Sequence, residues 1–375
     1  MAVRRGPVRA GEKVQLTDRK GKMLTLLLER GAVTQTDRGF LAHDRLIGLS
    51  EGSLVSTISA QELKACGNSD PAGEAGNDPR KPWKSARAVG GWVYTMMRPR
   101  LSDFLLSMPR GAQIMYPKDI AQVLLAGDIR SGMRVLESGA GSGAMSIALL
   151  DAVGSQGGLT TIELRAEFAR VAVGNATVYF GGKPDCWDLR VGDFDQVAPL
   201  LPAGAYDRIV LDMLDPWNRL DAAWRALAPG GVLTAYVTTA TQLGRLSEAL
   251  RASGSWTEPE ISETLERGWK ADGLAVRPQH QMIGHSGFLV VTRAMAAGFQ
   301  ALHKRERGNK NVHADIDQTI PEQPNIQASA GAGADGGWSD LSLRDISDRK
   351  LRKVLRDLER QEAQVEAAAR RQEEP

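Results

Sequence analysis

VLESGAGSGAMSIALL, residues 135–150, sets an apolar run, an acid, closely spaced glycines and a second apolar run in line. The first run, ending at Glu137, reads as a buried strand. The residues from Ala144 onward read as a helix, and Gly139, Gly141 and Gly143 make the tight turn between them. Glycines in such a turn let the backbone approach a ligand closely. A nucleoside-triphosphate loop requires Gly-Lys-Ser/Thr, and no lysine is present. A dinucleotide loop spaces its glycines G-x-G-x-x-G, whereas this one reads G-x-G-x-G behind an acid. On the loop alone, a plain strand-to-helix turn stays open beside a cofactor role.

Outward from this loop, strands alternate with helices from about residue 116 to 297. YPKDIAQVLLAGDI is a helix with Pro117 at its first position. MRVLE, LTTIE, WDLRV, YDRIVLD, VLTAYV and SGFLVVTRA are strands. AMSIALLDAV, AEFARVAVGNA, PWNRLDAAWRAL (ending near Gly230 and Gly231) and TQLGRLSEALRA are helices. The alternation predicts an α/β fold, an open, largely parallel sheet covered on both faces. Residues 1–62 hold short apolar bursts broken by turn residues and read as a small β domain. Residues 63–90, rich in Gly, Pro, Asn and Asp, read as a flexible insertion. The alternating unit spans 91–297, a polar segment at 298–338 reads as a disordered linker, and 339–375 as a charged helix. That helix carries one apolar stripe, Leu351, Val354, Leu355 and Leu358. A stripe so short, behind so polar a linker, is not expected to belong to the main core, and the segment after about residue 300 is expected to be dispensable for catalysis.

The chain has 375 residues, is 42% hydrophobic and carries a net charge of +2, so its overall field argues neither for nor against a polyanionic partner. Its two cysteines, Cys66 and Cys186, are too few for a disulfide framework. The basic start lacks the apolar core of a secretion signal, and no apolar run approaches the ~20 residues that span a bilayer. The expectation is a cytoplasmic protein with no membrane partner.

Acids at the next strand ends separate the readings of the loop. Glu163 closes the strand after the glycine helix, where a carboxylate accepts from ribose hydroxyls. Asp193, in VGDF, closes the following strand and is placed to accept from an adenine amino group. Its bland role is a helix cap. With Glu137, these acids line the carboxyl edge where open α/β sheets bind ligands. Together with the glycine spacing they resemble motif I and its partners in S-adenosyl-L-methionine-dependent methyltransferases. Asp212 ends the fourth strand and faces the same cleft, where it can accept from a substrate amine. Asp215, before Pro216, reads as a helix cap.

MYPKDIAQVLLAGDIRSGMRVLESGAGSGAMS, DRIVLDMLDPW and GLAVRPQHQMIGHSGFLVVTR together resemble the bacterial tRNA (adenine-N1)-methyltransferases that modify the T-loop adenosine at tRNA position 58, the actinobacterial members most of all. The likeness covers residues 1–62 and 91–297. It implies a Rossmann-like class I methyltransferase domain behind a small N-terminal β domain, assembled as a homotetramer that acts on tRNA. By matched positions, Glu137, Gly139, Gly141, Ser142, Gly143, Ala144, Met145 and Phe168 belong to the cofactor site, with the residues from Ser142 to Met145 along the methionine moiety. Glu163 holds the ribose and Asp193 the adenine. Asp212 borders the cofactor and is the catalytic carboxylate, with Tyr116 beside the target base. The insertion at 63–90, the tail, and Ile162 in place of a common aromatic depart from the family pattern.

The reaction implied needs alignment of adenine N1 with an activated methyl group, and a carboxylate that accepts from N6 while charge develops on the ring. Tyr116 either stacks on the base or packs in the core. Arg98, Arg100, Arg110 and Lys118 are candidates for phosphate contacts, each with a solvated surface charge as its bland reading. His280 and His285 lack acid or cysteine partners at metal spacing, so no metal is expected. A rival is an exocyclic adenine-N6 methyltransferase, since Asp215-Pro216-Trp217 half matches that motif. Another is a non-catalytic RNA-binding subunit of the same fold, although such a chain is expected to lose the glycines and acids kept here. A small-molecule methyltransferase leaves the N-terminal domain without a role.

Overall fold

A computed structural model describes residues 5–65, 90–302 and 348–373. Residues 66–89 of the insertion read from the sequence, Cys66 among them, and 303–338 of the linker lie outside the described residues, while residues 63–65 close a helix.

The N-terminal part is built from short antiparallel strands. β1 (Lys13–Asp18) pairs with β2 (Met23–Leu27), and a separate ribbon joins β3 (Val33–Thr36) to β4 (Gly39–Ala42). After β5 (Leu54–Ser56) and the helix α1 (Ala60–Ala65), β6 (Val93–Met97) returns to pair with both β1 and β5. The sheet order is therefore β2-β1-β6-β5. Although β6 follows the insertion, it belongs to this sheet. Alternate residues Val14 and Leu16 on β1, Leu26 on β2, and Tyr94 and Met96 on β6 point into one buried cluster, the period expected of half-buried strands.

α2 (Leu101–Ser107) leads into the second unit. There follow α3 (Pro117–Ala126), β7 (Arg134–Ser138), α4 (Ala144–Val153), β8 (Gly158–Glu163), α5 (Ala166–Phe180), β9 (Trp187–Val191) and α6 (Phe194–Val197). Next come β10 (Tyr206–Asp212), α7 (Leu220–Ala226), β11 (Leu227–Val237), α8 (Ala240–Ser253), β12 (Glu260–Ser262), the hairpin β13 (Trp269–Asp272) and β14 (Ala275–Pro278), and β15 (Phe288–Arg293). The last helix is α9 (Asp348–Glu373).

Seven strands form one sheet in the order β12-β15-β11-β10-β7-β8-β9. The five from β11 to β9 are parallel, while β15 runs antiparallel to both β11 and β12. Strand residues alternate between two cores. Val135, Val210 and Leu289 face the layer containing α4 and α5. Leu136, Ile209, Leu211 and Val290 face the layer containing α7 and α8. From β7 the chain winds outward through β8 and β9, then returns to β10 on the other side. The crevice between the carboxyl ends of β7 and β10 is thus the topological switch point, where folds of this type bind ligands.

Two elements differ from the sequence reading. The helix expected to reach Gly230 ends at Ala226. β11 starts at once and carries Gly230 (φ +77°) in an irregular register against β10. The charged C-terminal helix does not stand apart from the core, because Leu358 and Val365 are buried and Val365 joins the α4–α5 cluster.

Candidate active site

The loop after β7 is shaped by its neighbours on both sides. Gly139 has φ +93°, and a Cβ there would lie 1.9 Å from the carbonyl oxygen of Asp212. Only glycine lets the loop cross the end of β10 at this distance. Gly143 (φ +85°) caps the start of α4, and a Cβ on it would lie 3.0 Å from Ala172 Cα in α5. The loop is therefore drawn onto β10 at one end and onto α5 at the other. The first N–H groups of α4, from Ala144 and Met145, have no intrahelical acceptor, and Gly143 offers no side-chain cap.

The acids gather beneath and beside this loop. Glu137 is wholly buried. Its Oε2 accepts from Ser146 Oγ and Thr161 Oγ1, both at 2.7 Å, and its Oε1 has no partner. Burial pushes its carboxyl up to about 7, and the charges of Asp212 and Glu163 add to the effect. Glu163 Oε2 accepts from the Gly141 N–H, and its Oε1 from the Arg165 N–H, each at 3.0 Å. Asp212, at the end of β10, takes no hydrogen bond from a described side chain or backbone group. Burial, then the Glu163 charge, raise it to about 7. Asp193 caps α6, its Oδ1 accepting from the Asp195 N–H at 2.8 Å.

This is an electronegative crevice with an orphaned buried oxygen and a carboxylate free to take a donor. A cationic ligand bearing an ammonium, a sulfonium and ribose hydroxyls satisfies both deficits. An anionic phosphate does not.

Other site residues serve the scaffold. Ser142 Oγ accepts from the Gly111 and Ala112 N–H groups at 3.0 and 3.1 Å, so its hydroxyl is committed to the connector before α3. The side chains of Ala144 and Met145 are buried in the α4–α5 core. Phe168 is buried beneath the Arg165 guanidinium, 3.8 Å from its ring centroid, and against Gly111. Tyr116 stands partly buried just before Pro117, and its hydroxyl has no hydrogen-bond partner among the described residues.

Two of the four residues expected to reach phosphates, Arg98 and Lys118, prove to be internal. Arg98 clamps Glu12 and Glu51 at 2.7 and 2.9 Å within the N-terminal unit. Arg100 is paired with Asp103. Lys118 is buried and donates to Asp119 Oδ1, the Thr264 carbonyl and Ser286 Oγ. Of the four, Arg110 alone is both exposed and unpaired. Asp215 makes no cap; its carboxylate takes Asn218 Nδ2 at 3.0 Å and lies 3.5 Å from Arg219.

Sequence reasoning missed the cluster around Asp119. Asp119 Oδ2 accepts from Ser286 Oγ at 2.8 Å and from Tyr236 Oη at 3.2 Å. Tyr236 pairs in register with Asp212, which brings the cluster up to the catalytic edge. The motif YPKD contained the signal in its final acid. His285 bridges Glu263 and the Thr238 carbonyl, contacts that raise its pKa, and His280 is exposed. Among the described residues no acid, histidine or cysteine cluster suits a metal, and no helix is long and apolar enough to cross a membrane.

The strand order, the glycine loop at the switch point and the acids around it define a class I methyltransferase, the class that uses S-adenosyl-L-methionine. Residues 6–55 match the TrmI-like N-terminal family and residues 91–273 the family described as tRNA methyltransferase complex GCD14 subunit. The tRNA (adenine(57)-N(1)/adenine(58)-N(1))-methyltransferase TrmI of Methanocaldococcus jannaschii is 32% identical over 224 residues, 54% of this chain and 79% of that protein. The tRNA (adenine(58)-N(1))-methyltransferase TrmI of Thermus thermophilus is 29% identical over 282 residues, 75% of this chain and 96% of its own. The crystal structure of tRNA (m1A58) methyltransferase TrmI from Aquifex aeolicus superposes with a TM-score of 0.61 at 24% identity, covering 78% of this chain and all of that one. This chain belongs to the TrmI-type tRNA (adenine-N1)-methyltransferase family.

Proposed function

We propose that this protein transfers a methyl group from S-adenosyl-L-methionine to N1 of the T-loop adenosine at position 58 of tRNA, working in the cytoplasm as a homotetramer. The reading is carried by Asp212, a carboxylate at the switch point without a hydrogen-bond partner among the described residues, set against Gly139 and coupled electrostatically to Glu163.

When bound, the cofactor supplies a methyl group already activated as a sulfonium. Glu163 is pre-oriented by the Gly141 and Arg165 N–H groups, and its remaining lone pairs would accept from the ribose hydroxyls. Asp193 keeps one oxygen for its helix and would present the other to the adenine amino group. The backbone from Gly139 to Met145, rather than the Ser142 hydroxyl, would follow the methionine moiety. Glu137 faces the same end with its orphaned oxygen. Asp212 would accept from N6 of the target adenine, holding the amine in the ring plane and leaving N1 as the free nucleophile. The same carboxylate stabilises positive charge as it forms on the ring. Tyr116 would border this position. The T-loop base must first leave its stack, at a cost of a few kcal/mol.

The adenine-N6 alternative needs an acceptor that draws the amine out of conjugation. Asp215, its candidate, is engaged by Asn218 and Arg219. The homotetramer is supported by the β13–β14 hairpin, which leaves the apolar Trp269, Leu274 and Val276 exposed. Such a patch marks an association surface.

The test is incubation of unmodified tRNA with labelled cofactor, followed by nucleoside chromatography against 1-methyladenosine and N6-methyladenosine standards. Wild-type protein yields 1-methyladenosine at one T-loop position. Asp212→Ala retains calorimetric cofactor binding and loses at least about a hundredfold in turnover. N6-methyladenosine as product, or turnover of that variant within about threefold of wild type, overturns the reading.

A further inference from the structure

α9 lies outside both family-matched regions, and three of its side chains rest on three glycines spread across the molecule. Leu351 Cδ1 lies 3.2 Å from where a Cβ on Gly111 would stand. Leu358 Cβ lies 3.2 Å from the corresponding point on Gly174 in α5, and Ala368 Cβ 2.9 Å from that on Gly11 in the N-terminal unit. Leu351, Leu358 and Val365 recur every seven residues and so share one helix face. Between Leu351 and Ala368 the helix runs about 25 Å at its standard rise. At the far end Gln364 Nε2 donates to Glu29 Oε2 at 2.6 Å, which fastens the helix to the strand region before β3.

The near end matters for the site. Gly111 is enclosed from both sides, by the Phe168 ring beneath, whose Cε1 would lie 2.8 Å from a Cβ, and by Leu351 above. Its N–H and that of Ala112 are the donors to Ser142 Oγ inside the cofactor loop. Asn175, the residue after Gly174, ties the same two segments by donating to the carbonyls of Pro109 and Ser142, each at 2.9 Å.

We propose that α9 is an intramolecular strap whose Leu351 is a positioning residue: it presses the 109–112 connector onto Ser142 and so holds the glycine loop in its cofactor-binding shape. The site is therefore completed by a segment that the matched family regions lack. The proposal rests on the cofactor reading above, and the two are separable. Cofactor binding by the wild-type chain tests that reading, and differences between variants test the strap.

Three full-length variants decide it. Leu351→Ser removes the contact on Gly111 and Leu351→Met preserves it. Leu355→Ser changes an apolar residue of the same helix that lines a cavity with Val173, Leu189 and Val191 instead. The readouts are amide exchange at Gly111 and Ala112, and the Michaelis constant for S-adenosyl-L-methionine with tRNA saturating. Leu351→Ser is expected to speed exchange at both amides about tenfold. It should raise that constant about fivefold while kcat stays within about twofold. Leu351→Met is expected to match wild type, and Leu355→Ser to lower the melting temperature without changing either readout. Wild-type exchange in Leu351→Ser, or equal effects in Leu351→Ser and Leu355→Ser, would overturn the proposal.

Discussion

Glu137 places a carboxylate where water cannot reach it, with two hydroxyl donors on one oxygen and none on the other. Its folded-state pKa of about 7 stands above the usual 4.5, so the folded chain holds this proton more tightly than the unfolded chain. Below about pH 4.5 the group costs nothing. As pH rises toward 7 the penalty grows to roughly 3 kcal/mol and then levels off. Glu137→Gln in the cofactor-free protein is therefore expected to exceed wild type in stability at pH 8 by roughly that amount, and by less than about 1 kcal/mol at pH 5. Denaturant unfolding at the two pH values measures it; an advantage that ignores pH would show that burial of the charge is not its origin. The acids were legible in the sequence because they close successive strands, a position that fixes their edge of the sheet. Lys118 was not, because its acceptors Thr264 and Ser286 lie 146 and 168 residues further along the chain. Nothing local distinguishes it from a solvated lysine.

At the scale of elements, the loop between β7 and α4 is where local chemistry and tertiary contact agree. Its glycines are not equivalent. A Cβ at Gly139 meets the backbone of Asp212, whereas at Gly141 (φ +52°) the nearest atom is Ala112 Cβ at 3.7 Å. Gly141→Ala is expected to cost only the left-handed conformation, about 1–2 kcal/mol. Gly139→Ala must also displace the end of β10, and its loss should be clearly larger, with calorimetric cofactor affinity reduced as well. Thermal unfolding of the pair checks the order, and equal losses would mean that the close crossing is relaxed in solution. The strands and helices of the methyltransferase unit were readable from period and turn residues. β6 was not legible as a strand of the N-terminal sheet, and residues 91–97 read with the second unit instead, because its partners β1 and β5 lie across residues 66–89. The early end of α7 was hidden for a related reason. Its glycines serve an irregular strand rather than a helix stop.

For the molecule as a whole, one exposed apolar surface bears on the proposed assembly. In the β13–β14 hairpin, the cross-strand pairs Trp269–Pro278 and Ala271–Val276 put four apolar side chains on one face. If the proposed homotetramer assembles through that face, charging it with Trp269→Glu and Val276→Glu is expected to give smaller species in light scattering, while circular dichroism stays unchanged. An unaltered mass would place the association surface elsewhere. The stripe on α9 was visible in the sequence, but its destination was not, since a glycine that receives a side chain from a distant helix looks like any other glycine. The N-terminal sheet has a further consequence. β5 and β6 are neighbours in antiparallel register, and Gly91 N–H donates to the Thr57 carbonyl at 2.7 Å, so both ends of the intervening stretch are anchored side by side. Closing a chain between anchored ends costs only about 0.6 kcal/mol for each doubling of its length. In evolution this hairpin is a docking bay for new sequence: residues added there leave both sheets and the catalytic crevice undisturbed, and extra modules can be acquired or shed with almost no thermodynamic memory in the enzyme that carries them.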